Sequence, residues 1–319
     1  LGRNAFNYLI SSLEIKTIFL PSFICSMVVD IFKNAGVEII FYESLDSKLK
    51  VPKNLILELV STVNTQGNTY FLWHDYLSLI GDIPRELYEI LEKRNIKTII
   101  DATHSLPSKK YQCANIIYGF RKLLNQPFGA LLKTDDHQSL PNNELPKIKL
   151  LNFLLFHKVQ SIIFNKLNNS IFDDFLKKIS IFGDRFSFDK NDYFMSESYN
   201  YNKILDYHKR IDYKKINKKR SELFLHYFNN LPQQFNISNF EVNCPYGFPL
   251  LVKNNKKVRS ILWDAGIHTF ILWGTLHEDV LENNNIGDIY LTNSVLILPV
   301  NQDLTFDDIN TIIRIINAL

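Results

Sequence analysis

Along the first 135 residues, short apolar runs typical of strands alternate with segments whose apolar residues recur at helical spacing. Short apolar runs rich in β-branched and aromatic residues predict strands, which are Thr17–Leu20, Glu38–Tyr42, Tyr70–Trp73, Thr98–Asp101, Asn115–Tyr118 and Ala130–Lys133. Helical spacing predicts helices over Ser26–Asn34 and Pro84–Arg94, with Gly36 and Pro84 suited to a helix end and a helix start. This alternation predicts an α/β domain in which helices cover a mainly parallel sheet.

The pattern changes near residue 190. A long polar helix is predicted over Asn202–Asn230, followed by strands at Phe248–Val252 and Val295–Pro299 and a terminal helix at Phe306–Ala318. We therefore predict two domains, a large one over residues 1–190 and a smaller C-terminal α+β domain over residues 191–319.

Composition and charge limit what the protein is expected to bind and where it is expected to work. The 319 residues are 46% hydrophobic, enough for a substantial core, and the net charge of +3 is too small to recruit nucleic acid. Polar and charged residues interrupt the most apolar stretch, 148–164, which indicates an amphipathic helix rather than a membrane span. The three cysteines, Cys25, Cys113 and Cys244, are odd in number and widely spaced, which favours a reducing cytoplasm.

An aspartate and a lysine follow neighbouring predicted strands. Asp101 ends one strand and Lys122 comes soon after the next, so both are expected at one rim of the sheet. Pyridoxal phosphate needs such a pair, since an amine binds it covalently and a carboxylate keeps its ring nitrogen protonated. The segment 1–6 resembles the first turn of a helix, whose free N–H groups favour a phosphate, and Gly2 allows close approach.

Several short motifs, in this order, resemble the sugar aminotransferases of the DegT, DnrJ and StrS family. The motifs are Gly2–Ala5, Leu20–Cys25, Asn34–Gly36, Asp101–Ser105, Phe120–Leu123 with Gly129–Ala130, and Leu298–Val300. The resemblance covers nearly the whole chain. It implies the fold of type I pyridoxal-phosphate transferases, with a seven-stranded, mainly parallel sheet in the large domain, and pyridoxal 5'-phosphate as cofactor.

The resemblance also implies roles for individual residues. Lys122 would be the catalytic lysine that holds the cofactor, Asp101 would pair with the ring nitrogen, and His104 would touch the phenolic oxygen. The remaining residues implied in cofactor binding are Gly2, Arg3, Asn4, Phe23, Cys25, Gly119 and Arg121.

Two positions depart from the family pattern. Many relatives carry a hydroxyl residue where this chain has Gly119, three positions before the lysine, and an aromatic residue where it has Cys25. These departures suggest a weaker cofactor site, with Phe23 as a substitute ring-packing residue.

Substrate contacts are expected from two clusters. His74 and Tyr76 follow another predicted strand at the same rim, and Asn200 and Tyr201 lie near the domain junction. The family resemblance implies a homodimer with a shared active site. We expect Trp263 and Trp273 to be core or interface aromatics. We expect no metal site, because His74, Asp75 and His104 lack a metal-ligand spacing.

Three functions remain open from the sequence. The first is transfer of an amino group, from glutamate, to a nucleotide-linked keto sugar in amino-sugar or surface-polysaccharide biosynthesis. The second is a catalytically impaired relative that acts as a scaffold, which Gly119 and Cys25 suggest. The third is a pyridoxal-phosphate enzyme of another reaction type, such as a dehydratase or lyase.

Overall fold

A computed structural model gives the fold of the protein. It describes residues 2–64, 67–109, 111–120, 122–124, 130–135, 210–232, 237–282 and 286–319. Apart from residues 210 and 211, these residues belong to one compact unit formed by segments 1–137 and 212–319.

Strands and helices alternate through the first segment. They are α1 (Gly2–Ser12), β1 (Thr17–Pro21), α2 (Ser26–Asn34), β2 (Glu38–Tyr42), α3 (Lys53–Thr62), β3 (Thr69–His74), α4 (Arg85–Lys93), β4 (Lys97–Ala102), β5 (Asn115–Gly119) and β6 (Ala130–Lys133). The second segment contains α5 (Tyr213–Asn230), β7 (Gly247–Leu251), α6 (Asn255–Asp264), α7 (Glu278–Glu282), α8 (Ile286–Ser294), β8 (Val295–Pro299) and α9 (Phe306–Asn317).

Six strands of the first segment form one sheet in the order β2-β1-β3-β4-β5-β6. Every neighbouring pair is parallel except β5 and β6, which are antiparallel. The prediction of a mainly parallel sheet is therefore confirmed. Six strands lie within the described residues, whereas the family resemblance implies seven.

Continuous apolar runs explain why these strands lie inside the sheet. All five residues of β1 and all six of β3 are buried, as expected for parallel strands covered on both faces. On one side, Phe71, Trp73 and Ile100 pack with Ile56 of α3 and Leu87 of α4 in one hydrophobic cluster. That packing fixes the ends of the strands relative to one another.

The second segment closes over the carboxyl end of the sheet. Its antiparallel pair β7 and β8 shares a hydrophobic cluster with Phe23, Tyr76 and Leu77, which follow β1 and β3. The second segment thus places side chains against the loops that follow the strands. Helix α9 of this segment begins with a capping box in which the Thr305 and Asp308 side chains each bond to the other's backbone N–H.

Most predicted elements agree with the structure to within one or two residues at each end. The prediction of one helix over 202–230 was wrong at its start, because residues 211 and 212 are not helical and the Asp212 side chain caps a helix that begins at Tyr213; residues 202–209 lie outside the described residues. The domain boundary near residue 190 and the amphipathic helix over 148–164 lie outside the described residues and stay predictions. Within the described chain, no helix combines the length and apolar character that a membrane span requires.

Candidate active site

The carboxyl ends of β3, β4 and β5 bring the predicted site residues together. His74 of β3 and Asp101 of β4 are register partners, so their side chains project from the same face of the sheet. Asp101 is in turn the register partner of Ile117, which lies five residues before Lys122. The parallel topology therefore gathers residues that are far apart in sequence.

Asp101 is a buried carboxylate with defined partners on both oxygens. Its Oδ1 accepts the backbone N–H of Thr103 at 3.0 Å, and its Oδ2 lies 2.9 Å from Nδ1 of His74. Burial alone would raise the pKa of Asp101, but the His74 ring, the Lys122 ammonium and the Thr103 bond lower it, to about 2. Asp101 is consequently ionised at any physiological pH.

His104 is a buried, neutral imidazole. Its Nδ1 accepts the backbone N–H of Leu77 at 3.2 Å and lies 3.3 Å from Nε2 of His74. Its ring stacks on Tyr246, with centroids 4.8 Å apart. Burial, together with the nearby Lys122 ammonium and His74, holds the pKa of His104 well below its usual range. Nδ1 thus acts as an acceptor, which leaves Nε2 as the N–H donor.

Lys122 lies at the same edge, beside the start of α1. Its Nζ donates to the Thr103 hydroxyl at 3.2 Å. A Cβ added to Gly2 would lie 3.4 Å from Cγ2 of Thr103, so the first residue of α1 is close to the same threonine. Thr103 is therefore close both to the amine and to the N-terminal end of a helix, where backbone N–H groups attract anions.

Gly119 occupies a position that admits no side chain. A Cβ added there would lie 2.7 Å from the backbone oxygen of Thr103 and 3.1 Å from its Cβ. The departure from the family pattern therefore has a steric cause, because the Thr103 backbone fills the space that a serine or threonine at position 119 would need.

A second buried carboxylate, Asp75, ties the loops after β3 and β4 together. Its Oδ1 accepts the backbone N–H groups of Ile80 and Gly81, while Oδ2 accepts a group of side-chain donors, namely Ser105 at 2.7 Å, Lys109 at 3.0 Å and Tyr111 at 2.6 Å. This fully used carboxylate holds the loop that carries Tyr76 and the loop that carries His104 in fixed positions.

Aromatic rings from both segments enclose the histidine pair. Trp273 has its ring centroid 5.3 Å from that of His74 and 4.9 Å from that of Phe23. Tyr76 donates to the backbone oxygen of Phe23, and its hydroxyl lies 2.7 Å from that of Ser44. Phe23 and Tyr76 are buried, whereas Cys25, which precedes the first residue of α2, is partly exposed. Trp273 is thus a packing aromatic whose position borders the site.

A third carboxyl group, Asp288, is buried in the first turn of α8. Both of its oxygens are inaccessible, and within the described chain neither accepts a hydrogen bond of good geometry. Burial raises the pKa of Asp288 to about 7, against a smaller opposing effect of the Ser22 hydroxyl. The charge of Asp288 therefore changes near neutral pH.

Some predicted site residues are not placed. Arg121, Asn200 and Tyr201 lie outside the described residues. Arg3 and Asn4 lie in the first turn of α1, next to Gly2. The structure thus gathers Gly2, Asp101, His104, Gly119 and Lys122 around Thr103 and His74, and the roles of all these residues in binding stay predictions.

The sequence interpretation did not assign two contacts. His74 lies beside Asp101, a contact set by the register of β3 and β4, whereas its predicted contact with substrate stays a prediction. Thr103 was not singled out at all, although it stands between Asp101 and His104 in the motif. Its position between two predicted cofactor residues was the signal that could have indicated a contact in the site.

The gathered groups fit pyridoxal phosphate. An ionised carboxylate suits a protonated pyridine nitrogen, a lysine amine lies nearby, and the N-terminal end of α1 can receive a phosphate. At Gly2 and Gly119 the absence of a side chain lets the backbone lie close to Thr103.

The fold of the chain is similar to that of several solved aminotransferases. The chain is similar to DesV from S. venezuelae, with a TM-score of 0.62 and 13% identity over 99% of this chain and 82% of that one. It is also similar to the sugar aminotransferase CalS13 from Micromonospora echinospora, with a TM-score of 0.61, 13% identity, and coverage of 99% and 85%.

A DegT DnrJ EryC1 StrS aminotransferase from Brucella abortus gives a TM-score of 0.60 at 13% identity, over 99% of this chain and 83% of that one. No family model and no curated protein matches the sequence. The chain therefore has the fold of these aminotransferases, which is the fold that the resemblance implied.

Proposed function

We propose that this protein is a pyridoxal-phosphate-dependent aminotransferase of the DegT, DnrJ and StrS family. It transfers an amino group, from glutamate, to a keto sugar carried on a nucleotide, for amino-sugar or surface-polysaccharide biosynthesis. The fold of sugar aminotransferases such as CalS13 supports this proposal. Fold alone does not determine activity, so the proposal depends on the site.

The meeting of Asp101, Lys122 and the first turn of α1 is the observation that carries the proposal. Each group answers one requirement of the cofactor. Thr103 bonds to Asp101 and to Lys122, and its Cγ2 lies 3.4 Å from the place that a Cβ on Gly2 would occupy. These residues come from separate elements of the sequence, and a merely solvated lysine would need neither a buried carboxylate nor a helix N-terminus beside it.

Each residue has a distinct role in this proposal. The cofactor, when bound, supplies an electron-withdrawing ring that makes the proton on the substrate carbon acidic. Lys122 holds the cofactor through its amine and moves that proton between two carbon atoms. Asp101, kept ionised by His74, holds a proton on the ring nitrogen. His104 donates from Nε2 toward the phenolic oxygen.

The remaining residues bind or enclose the ligands. Gly2, Arg3 and Asn4 receive the phosphate at the start of α1, with Arg121 as a further cation. Phe23 and Cys25 border the ring, and the substrate contacts include Tyr76 and, from outside the described residues, Asn200 and Tyr201. The enzyme is proposed to work in the cytoplasm as a homodimer with a shared active site.

A half-reaction with glutamate tests the amino-transfer step without knowledge of the acceptor. The protein is loaded with pyridoxal phosphate, freed of excess cofactor and mixed with glutamate. We expect 2-oxoglutarate in an amount equal to the enzyme, and none from Lys122→Ala. Lys133→Ala, which removes an exposed lysine from β6, is the matched control and should behave as wild type.

The same experiment separates the alternatives. A loaded protein that releases ammonia instead of 2-oxoglutarate would indicate a lyase or dehydratase, and one that retains no cofactor would indicate a scaffold. After a positive half-reaction, a panel of nucleotide-linked keto sugars offered to the aminated enzyme identifies the acceptor by the appearance of the amino sugar in mass spectra.

A further inference from the structure

We propose that Thr103 is the positioning residue that orients the Lys122 amine toward the cofactor, an inference that rests on the function proposed above. Its hydroxyl accepts a hydrogen bond from Nζ of Lys122, at 3.2 Å. A hydroxyl oxygen can accept this bond from an amine and still donate its own hydrogen elsewhere. Thr103 is thus able to hold the amine without neutralising it.

Thr103 is itself held firmly in place. It follows the last residue of β4, its backbone N–H donates to Asp101, and only 8% of its surface is exposed. Its Cγ2 faces Gly2, and its backbone oxygen lies where a side chain at position 119 would be. A β-branched side chain confined in this way keeps its hydroxyl in one direction, which is what a positioning residue requires.

The arrangement also decides which strand can supply the hydroxyl. The end of β5 is the other place close to the lysine in sequence, but Gly119 cannot take a Cβ without displacing the Thr103 backbone. The hydroxyl that meets Lys122 therefore comes from the end of β4. Because the same residue bonds to Asp101, the amine and the carboxylate are held in one fixed geometry.

The reactivity of the amine in the cofactor-free protein tests this inference directly. Wild type, Thr103→Val and Thr103→Ser are acetylated with a small amine-reactive ester, and the rate at Lys122 relative to that at the exposed Lys133 is read by peptide mass spectrometry. Valine keeps the shape but removes the acceptor. We expect the relative acetylation rate of Lys122 to rise about tenfold in Thr103→Val, because losing a hydrogen bond to a charged group changes an equilibrium by about this factor. Serine should keep it within about threefold of wild type.

A second readout uses the cofactor itself. Pyridoxal phosphate is titrated against each variant, and the adduct at Lys122 is fixed by borohydride reduction and counted by mass. We expect Thr103→Val to need about tenfold more pyridoxal phosphate for half-modification, because the amine loses the acceptor that orients it. Thr98→Val, which removes a hydroxyl from β4 that contacts Cys113, is the matched control and should leave both readouts unchanged.

The outcomes separate the two proposals. Equal Lys122 acetylation in wild type and Thr103→Val, with both folded by circular dichroism, would overturn the positioning role. A rise in Thr103→Val that serine prevents supports it. If acetylation behaves in this way but no variant and no wild type forms an adduct with pyridoxal phosphate, Thr103 still orients the amine and the proposed cofactor function is wrong.

Discussion

Replacing Asp288 by asparagine should change how the stability of the protein depends on pH. Asp288 is buried in the first turn of α8, and in the described part of the chain neither of its carboxylate oxygens accepts a hydrogen bond of good geometry. Its pKa rises from 3.8 in the unfolded chain to about 7 in the fold. The folded state therefore binds one proton more than the unfolded state between these two pH values.

The magnitude follows from that difference. A folded pKa above the unfolded value contributes stability that is fully present below the unfolded pKa and is lost as pH rises through the folded pKa. The interval from 3.8 to about 7, at about 1.4 kcal/mol per pH unit, corresponds to at most about 4 kcal/mol. Wild type should lose this amount, relative to Asp288→Asn, between about pH 4 and pH 7.

Urea unfolding at half-unit pH steps from 4 to 8 measures this effect. Because asparagine carries its own cost of burial, the quantity to compare is the change in unfolding free energy with pH rather than its value at one pH. Asp264→Asn, at the exposed end of α6, is the control and should run parallel to wild type. Parallel curves for wild type and Asp288→Asn would refute the assignment of a buried, proton-binding carboxyl.

Two further predictions concern the residues around Thr103 and Asp101. Gly119→Ser should lower the unfolding free energy by about 1–3 kcal/mol, because its Cβ would lie 2.7 Å from the Thr103 oxygen. Gly274→Ala, whose Cβ would meet its nearest neighbour at 3.5 Å, should cost far less in the same urea titration, and equal losses would argue against crowding at Gly119. His74→Phe removes a group that lowers the pKa of Asp101, so it should cost about 2 kcal/mol near neutral pH. This difference from wild type should shrink as pH falls from about 4 to 2, where a depressed carboxyl pKa ceases to contribute, and a constant difference would contradict the pairing.

Local signals in the sequence were sufficient for most of the fold. The apolar runs of β1 and β3 carry the composition of buried parallel strands, and the helical spacing of Ser26–Asn34 coincides with α2. Helices α3, α6, α7 and α8 were not predicted, although α3 and α6 have apolar residues at helical spacing.

Contacts across the site could not be read from sequence in the same way. The His74–Asp101 contact depends on the register of two strands, and the Lys122–Thr103 bond depends on how two loops leave the sheet. Such contacts are set by packing between distant segments. The departure at Gly119 was visible in the sequence, but its steric cause required the position of the Thr103 backbone.

Covalent attachment of pyridoxal phosphate to Lys122 is the most direct test of the central claim. Wild type, Lys122→Ala and Lys133→Ala are incubated with pyridoxal phosphate, scanned between about 300 and 500 nm for the absorbance of the bound cofactor, reduced with borohydride and digested for mass spectrometry. The account predicts a visible band and one modified peptide, carrying Lys122, in wild type and Lys133→Ala, and neither in Lys122→Ala. An unmodified Lys122 at saturating cofactor, or an equal band in Lys122→Ala, would contradict it.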